Sequence, residues 1–212
     1  MPVAKDTNTR QIFGEDFAQY VKLESDFRFY RKLGLHVTWA NRAITGFGYP
    51  YGNSKQLPFI KQFYAGGNNS IRAFRSRSVG PGTFKDTTNK DFLPDQTGDI
   101  KLELNSEMRV KFTNIIEVAA FVDAGNVWLY RKDPQKPGGE FTGDFIRQLA
   151  VGTGLGLRLD FTFFLIRFDV AFPLRKPWLT TSNKWVFNQI DFTNPAWRGD
   201  NIIYNLAIGY PF

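Results

Sequence analysis

The sequence predicts an all-β protein, a transmembrane antiparallel β-barrel, from three observations. Long segments alternate apolar with ionic residues at period two, and such strands of about ten residues are typical of membrane barrels. Very short turns alternate with long loops rich in Gly, Pro, Asn and charge, which is the arrangement of barrels in a bacterial outer membrane. No run approaches the roughly 18 apolar residues that a spanning helix needs.

The alternation marks about eight candidate strands. In segment 98–112 the odd positions from 101 to 111 are all charged or amide residues, whereas the even positions from 102 to 112 are mostly apolar. We therefore expect Leu104 and Met108 to face lipid, and Asn105 and Glu107 to face a water-filled interior. The eight candidates are residues 16–32, 34–47, 57–65, 98–112, 115–127, 148–160, 162–174 and 202–212.

Segment 148–160 carries Gly152, Gly154 and Gly156 on its inward face. Glycine weakens a strand, so three on one face indicate either that another part of the protein approaches the wall closely or that the sheet bends there. The sequence does not decide between these two interpretations.

The domain prediction follows from the same strands. Residues 1–15 contain no apolar segment and are predicted to be a leader in a loop, with any export signal upstream of Met1; residues 16–212 form one barrel domain with a long loop at 66–97. Eight strands closed on themselves leave room only for side chains, so this loop could not enter such a barrel. An open strand edge in lipid is also costly. We therefore expect these strands to be part of a larger barrel.

Composition excludes much enzyme chemistry. The 212 residues include no Cys and one His, so a disulfide scaffold, a Cys-based nucleophile and a His-rich metal centre are excluded. Much enzyme chemistry is therefore excluded, and we predict no catalytic residues, no metal and no cofactor. The net charge of +7 raises the question of nucleic acid, but the basic residues are scattered, and we predict no nucleic-acid partner.

Four segments in order carry a resemblance to a known family. The segment 62–74 ends in Ile71, Arg72, Ala73 and Phe74; Ser106-Glu107-Met108-Arg109 and Phe121-Val122-Asp123-Ala124-Gly125 follow; and the chain ends in Leu206, Ala207, Ile208, Gly209, Tyr210, Pro211 and Phe212. These segments resemble the Val-Arg-Gly-Phe loop motif, the acidic strand motif, the Phe-x-Asp-x-Gly strand-end motif and the terminal strand of the BamA/TamA superfamily. This is the bacterial surface antigen family of outer-membrane assembly barrels.

The loop motif departs from the family at two positions. Ile71 replaces Val, and Ala73 replaces Gly. Because Ala adopts a positive φ only at a cost, the loop tip must differ if the family needs a left-handed residue there. Segments 70–75 and 173–178 are more similar to the TamA-like lipoprotein branch than to BamA.

The resemblance implies a fold, a location and a function. The chain would be the C-terminal half of a 16-stranded barrel in the bacterial cell outer membrane, with the N-terminal barrel half and POTRA domains preceding it. Its function would be non-enzymatic outer-membrane protein insertion or translocation, with unfolded outer-membrane protein clients and outer-membrane lipid as partners. The alternative is a passive outer-membrane pore or transporter barrel.

The resemblance also implies a site. Arg72 on the long loop would pair with Glu107 and Asp123, which both have inward parity, so its guanidinium could fork onto both carboxylates. Alternatively, Arg72 is a solvated loop arginine. The strand-end residues Phe121 and Gly125 would belong to the same region, or residues 123–126 would be a simple turn.

The last segment, 202–212, is predicted to be the closing strand of the barrel. It contains Gly209 and Pro211, and a proline removes one backbone donor from a strand ladder. The predicted seam is therefore weak, and an incoming strand could add to it by β-augmentation.

Overall fold

The computed structural model describes residues 10–86, 96–180 and 184–212. Residues 1–9 of the predicted leader and residues 87–95 of the predicted long loop lie outside the described residues. Within these ranges no helix is both long and apolar enough to cross a membrane. The elements are β1 (Gln11–Ile12), β2 (Glu15–Asp16), β3 (Tyr20–Lys32), β4 (Val37–Pro50), β5 (Phe63–Tyr64), β6 (Thr97–Gly98), β7 (Ile100–Lys111), β8 (Ile116–Trp128), β9 (Ala150–Asp160), β10 (Leu165–Arg175), α1 (Pro195–Asn201) and β11 (Ile203–Ile208).

Seven of these strands form one antiparallel sheet in the order β11-β10-β9-β8-β7-β4-β3. Each strand lies beside its neighbour in the chain, apart from the insertion between β4 and β7 that contains the small β5–β6 pair. β1 and β2 form a separate hairpin at the start of the described chain. Among the described residues, β3 and β11 pair on one side only, so the sheet is open.

The predicted strand at 57–65 is wrong, and the main sheet contains seven strands. The segment contains a 3₁₀ turn at Phe59–Lys61, and only Phe63–Tyr64 is extended. Its alternation has another cause, because Leu57 and Phe63 pack on the inner side of β4. A Cβ added at Gly48 would clash with Leu57, and one at Gly46 would lie 2.6 Å from the Phe63 ring.

The two faces of the sheet differ as the alternation predicts. On β7, Leu104 and Met108 point outward and are about half exposed, whereas Glu103 and Glu107 on the inner face are fully buried. The prediction that Asn105 faces a water-filled interior is wrong. The loop between β5 and β6 folds onto this part of the inner face and leaves Asn105 only 4% exposed.

The glycines of β9 mark a close approach to the barrel wall. A Cβ at Gly152 would clash with the Cβ of Ala73 on the long loop, and one at Gly154 would lie 2.6 Å from the ring of Phe121. Glycine is needed here because the loop and a neighbouring side chain occupy the space that larger residues would fill. Of the two interpretations left open by the sequence, the structure supports close approach.

The C-terminal strand is shorter than predicted. β11 ends at Ile208; Gly209 then adopts φ +90°, and Tyr210, Pro211 and Phe212 leave the sheet. Phe212 is buried, and its carbonyl accepts a hydrogen bond from the Arg109 guanidinium at 3.3 Å. Pro211 therefore removes no donor from the ladder, and that part of the seam prediction is wrong.

Candidate functional site

The tip of the long loop, residues 66–75, is a narrow turn against the inner wall. Gly66 and Gly67 both adopt positive φ, and the Gly67 N–H donates to the Phe74 carbonyl at 2.8 Å. A side chain at Gly66 would clash with the Arg75 carbonyl. The Ser70 hydroxyl accepts from the Gly66 N–H at 3.0 Å and donates to Glu103 of β7 at 2.6 Å. The two glycines thus close the tip, and Ser70 fixes it to the wall.

Arg72 at this tip bonds to carboxylates on two adjacent strands. Its Nε and Nη2 donate to the two oxygens of Asp123 on β8 at 2.8 and 2.9 Å, and its backbone N–H donates to Asp123 at 3.1 Å. Its Nη1 donates to Glu107 on β7. The guanidinium also lies 3.4 Å from the centre of the Phe121 ring. The structure therefore brings together four of the residues singled out from the sequence.

Burial makes this ion cluster electrostatically strong. Arg72, Glu107 and Asp123 are each 0% exposed, and charge-assisted bonds are stronger where water is excluded. Burial alone lowers the pKa of a guanidinium, but the Asp123 and Glu107 carboxylates outweigh burial and raise the pKa of Arg72 above its ordinary value. Arg72 is a buried, charged anchor and not a solvated loop arginine.

The neighbours of Arg72 in its motif pack against the wall. Ile71, Ala73 and Phe74 are buried, and Phe74 meets the ring of Trp178 edge-on with centroids 5.9 Å apart. A Cβ added at Gly125 would lie 2.7 Å from a β7 carbonyl and 3.1 Å from Ile71. The absence of a side chain at Gly125 therefore leaves room for Ile71 of the loop tip against the wall. Ala73 does not have a positive φ, so this tip needs no glycine at that position.

Three further charged residues complete the cluster and were not singled out from the sequence. Arg158 of β9 donates to Glu107 at 3.0 Å and to Asp169 of β10 at 2.7 Å, and Arg167 lies 3.0 Å from the same aspartate. Arg167 also donates to the tip, at the Asn68 carbonyl and the Asn69 side chain. The available signal was parity, because each of these residues lies on the inward face of an otherwise alternating strand.

The closing strand also contacts the tip. Asn205 on the inner face of β11 donates to the Arg72 carbonyl at 3.0 Å. Beyond the strand, the Arg109 guanidinium lies 4.5 Å from the centre of the Tyr210 ring. Leu206 and Ile208 point outward and are 73% and 81% exposed. The backbone of Arg72 is thus bonded to β8 through its N–H and to β11 through its carbonyl.

An open antiparallel sheet with an apolar outer face and a loop arginine buried in ion pairs on its inner face has the features of part of the wall of a membrane β-barrel with an internal loop. The family model for the Omp85 superfamily domain matches residues 5–205. The chain belongs to the Omp85 superfamily, whose members are β-barrels of the bacterial outer membrane, and the predicted fold class and location are confirmed.

Known relatives cover the chain to different extents. It is 31% identical over 80 residues to the outer membrane protein assembly factor BamA of Neisseria meningitidis serogroup B (strain ATCC BAA-335 / MC58), a match that covers 37% of this chain and 10% of that protein. The chain thus matches a small part of the length of this relative. The comparisons do not test the TamA-like branch, which stays a prediction.

Solved structures show the same fold. BamA from Haemophilus ducreyi lacking POTRA domains 1–3 has a TM-score of 0.59 at 18% identity, with 90% of this chain and 35% of that chain covered. CdiB from Acinetobacter baumannii has a TM-score of 0.51 at 16% identity, with 90% and 27% covered. The chain therefore spans about a third of the solved BamA barrel protein.

Proposed function

We propose that the protein is a non-enzymatic factor for outer-membrane protein insertion or translocation, which works through a weak barrel seam coupled to the loop tip. The observation that carries the proposal is the short strand β11, whose inner side is bonded to Arg72. The similarity to the assembly factor BamA of Neisseria meningitidis supports the same function. The partners we propose are unfolded outer-membrane protein clients and outer-membrane lipid, with a further barrel half and POTRA domains completing the machine.

The pairing of β11 with β10 is the shortest between neighbouring strands of the main sheet. β11 pairs with six residues of β10, whereas β3 and β4 share 13 pairs and β7 and β8 share 12. Each backbone group left unpaired in lipid costs several kcal/mol, so the free edge of β11 needs a partner strand. The free edge of a strand that is held by only a few ladder bonds is where a client strand can add most readily by β-augmentation.

The loop tip connects this seam to the charged cluster. If β11 moves away from the wall, the Arg72 carbonyl loses its bond to Asn205 and is left buried without that donor. An unpaired buried acceptor is unfavourable, so displacement of β11 weakens the docking of the tip. By linkage, a docked tip favours a closed seam to the same extent.

A passive pore is the rival function, and the filled inner face argues against it. The tip residues Ile71 to Phe74 are all buried against β7, β8 and β9, so the loop occupies space that an open channel would need. The ion pairs of Arg72 with Glu107 and Asp123 hold it there.

Cysteine cross-linking tests the seam directly, because the chain contains no Cys. We expect single variants Tyr204→Cys and Leu206→Cys in the full-length protein to form disulfides with a cysteine in the terminal strand of an unfolded barrel client. The matched control Leu155→Cys has a similar outward exposure on β9 but lies inside the sheet. Equal cross-linking of the control, or none at β11, would contradict the proposal.

Reconstitution separates the two functions. Vesicles that contain the protein should speed the folding of an unfolded barrel client relative to empty vesicles. This effect should be lost when β11 is cross-linked to the strand of the other barrel half that pairs with its free edge in the absence of a client. Unchanged folding together with steady ion conductance would instead support a passive pore.

A further inference from the structure

The short turns all lie at the same end of the strands, and each of them presents large apolar side chains. The turns are residues 33–36 between β3 and β4, 112–115 between β7 and β8, and 161–164 between β9 and β10. Leu35 is 98% exposed and Phe163 is 91% exposed. A contiguous exposed apolar surface marks a site of interaction with protein or membrane. We call these three turns the short-turn rim.

The apolar outer face runs without a break into the short-turn rim. Phe161 and Phe164 face each other just past the ends of β9 and β10, with ring centroids 5.3 Å apart, and the Phe161 N–H donates to the Phe164 carbonyl. Phe112 and Ile116 form the corresponding pair between β7 and β8. All four side chains are exposed. The surface that contacts lipid along the strands therefore continues to the tips of these turns.

Basic residues flank the apolar tips. Arg31 and Lys32 at the end of β3 and Lys111 at the end of β7 are exposed, and Asp160 is the acidic residue at the end of β9. Its carboxylate accepts the Thr162 N–H at 3.1 Å and holds the turn in which Thr162 has φ +70°. The charges flanking the three turns are therefore mainly positive, and they lie where the apolar surface ends.

We propose that the short-turn rim is a lipid-binding surface that inserts into the leaflet on its side of the membrane and selects anionic phospholipid headgroups. Apolar tips with adjacent Lys and Arg are the combination that binds an anionic membrane surface. A docked protein domain would need one compact patch. The exposed apolar residues instead recur in three separate turns at the same end of the strands, which favours a membrane surface as the partner. The continuity with the lipid-facing strands supports the same occupant.

Site-specific fluorescence measures the depth of the turns. Single variants Leu35→Cys and Phe163→Cys of the full-length protein carry an environment-sensitive fluorophore and are reconstituted in vesicles of phosphatidylethanolamine and phosphatidylglycerol. We expect lipids with a quencher near the headgroup to quench both labels. The control Asp144→Cys lies in the long loop between β8 and β9, where the side chain is 73% exposed, and should respond only to a water-soluble quencher.

Two results would contradict insertion of the short-turn rim into the leaflet. Quenching of the Phe163→Cys label by the water-soluble quencher alone would place the turn in water. Resistance of that label to both quenchers would mean that protein covers the turn.

Headgroup selection has its own measurement. Quenching of the Phe163→Cys label by headgroup-labelled phosphatidylglycerol should exceed quenching by headgroup-labelled phosphatidylcholine, with an enrichment of roughly two- to fivefold. The combined change of Arg31, Lys32 and Lys111 to Gln should bring this ratio to about one without withdrawing the label from lipid. A ratio of about one in the unchanged protein, or one that survives the triple change, would refute the selection of anionic lipid. Neither experiment involves a client, so both are independent of the proposed assembly function.

Discussion

Replacement of Arg72 by Met is expected to release the loop tip while the barrel wall stays folded. Asp123 would lose two of its four hydrogen bonds and keep those from the backbone N–H of residue 72 and from Asn105. Glu107 would lose one of three and keep its bonds to Arg109 and Arg158. The cost therefore falls on Asp123, which is left buried without a cation.

The size of the effect follows from the burial of this charge. Removal of one partner from a buried ion pair costs about 3–5 kcal/mol, and each 1.4 kcal/mol changes an equilibrium about tenfold. The open state of the tip should thus rise by roughly a hundredfold to a few thousandfold. Cleavage by chymotrypsin after Phe74, which is 5% exposed in the docked tip, should accelerate accordingly, since cleavage follows the population of the open state.

Second-site variants show whether the unpaired Asp123 carboxylate is what releases the loop tip. Asp123→Asn in the Arg72→Met background removes the unpaired charge and should restore most of the protection, whereas Glu107→Gln should restore little. Arg72→Lys should rescue only partly because Lys lacks the planar fork. An unchanged cleavage rate in Arg72→Met, with strand content preserved by circular dichroism, would refute the clamp.

Contacts other than the Arg72 ion pairs also hold the loop, the closing strand and the outer face in place. Gly152→Ala should cost about 1–3 kcal/mol of loop docking by overpacking, and Ala73→Gly in the same chain should recover it, as measured by the same protease assay. Asn205→Asp, of similar shape but without the donor, should raise both loop cleavage and client cross-linking at β11, while a rise in only one of them would show that loop and seam are uncoupled. Leu104→Arg on the outer face should lower the free energy of unfolding in vesicles by about 2–4 kcal/mol, whereas Glu24→Arg on the inner face of β3 should change it little; equal effects would contradict the membrane-facing parity.

The sequence predicts the strands well because a membrane wall enforces strict alternation. The same pattern gave a wrong prediction of a wall strand at 57–65. Leu57 and Phe63 are apolar there because they pack against β4 inside the barrel. Pro58 in that segment was a signal against a strand. The short β11 could not be predicted, because the turn at Gly209 leads to Phe212, whose carbonyl bonds to Arg109, a residue 103 positions earlier in the chain.

The candidate site was predictable in part. Parity places Glu107 and Asp123 on one face, and the resemblance to assembly barrels supplies Arg72 as their partner. Arg158 and Asp169 were missed because their bonds join residues 11 to 51 positions apart in the chain, and such contacts depend on strand register and sheet curvature. No local pattern in the sequence contains that information.

The ion pairs of Arg72 with two neighbouring strands have a consequence for how the barrel is assembled. A slip of β8 by one residue would turn Asp123 toward lipid and bring an apolar neighbour to Arg72, because side chains alternate between the faces. A misaligned β8 therefore leaves Arg72 with Glu107 alone and removes its two side-chain bonds to Asp123, which is far less favourable than the loss of a packing contact. The loop tip makes its full set of ion pairs only on a wall whose strands are in register, so docking of the loop favours the correct alignment of β8 with β7.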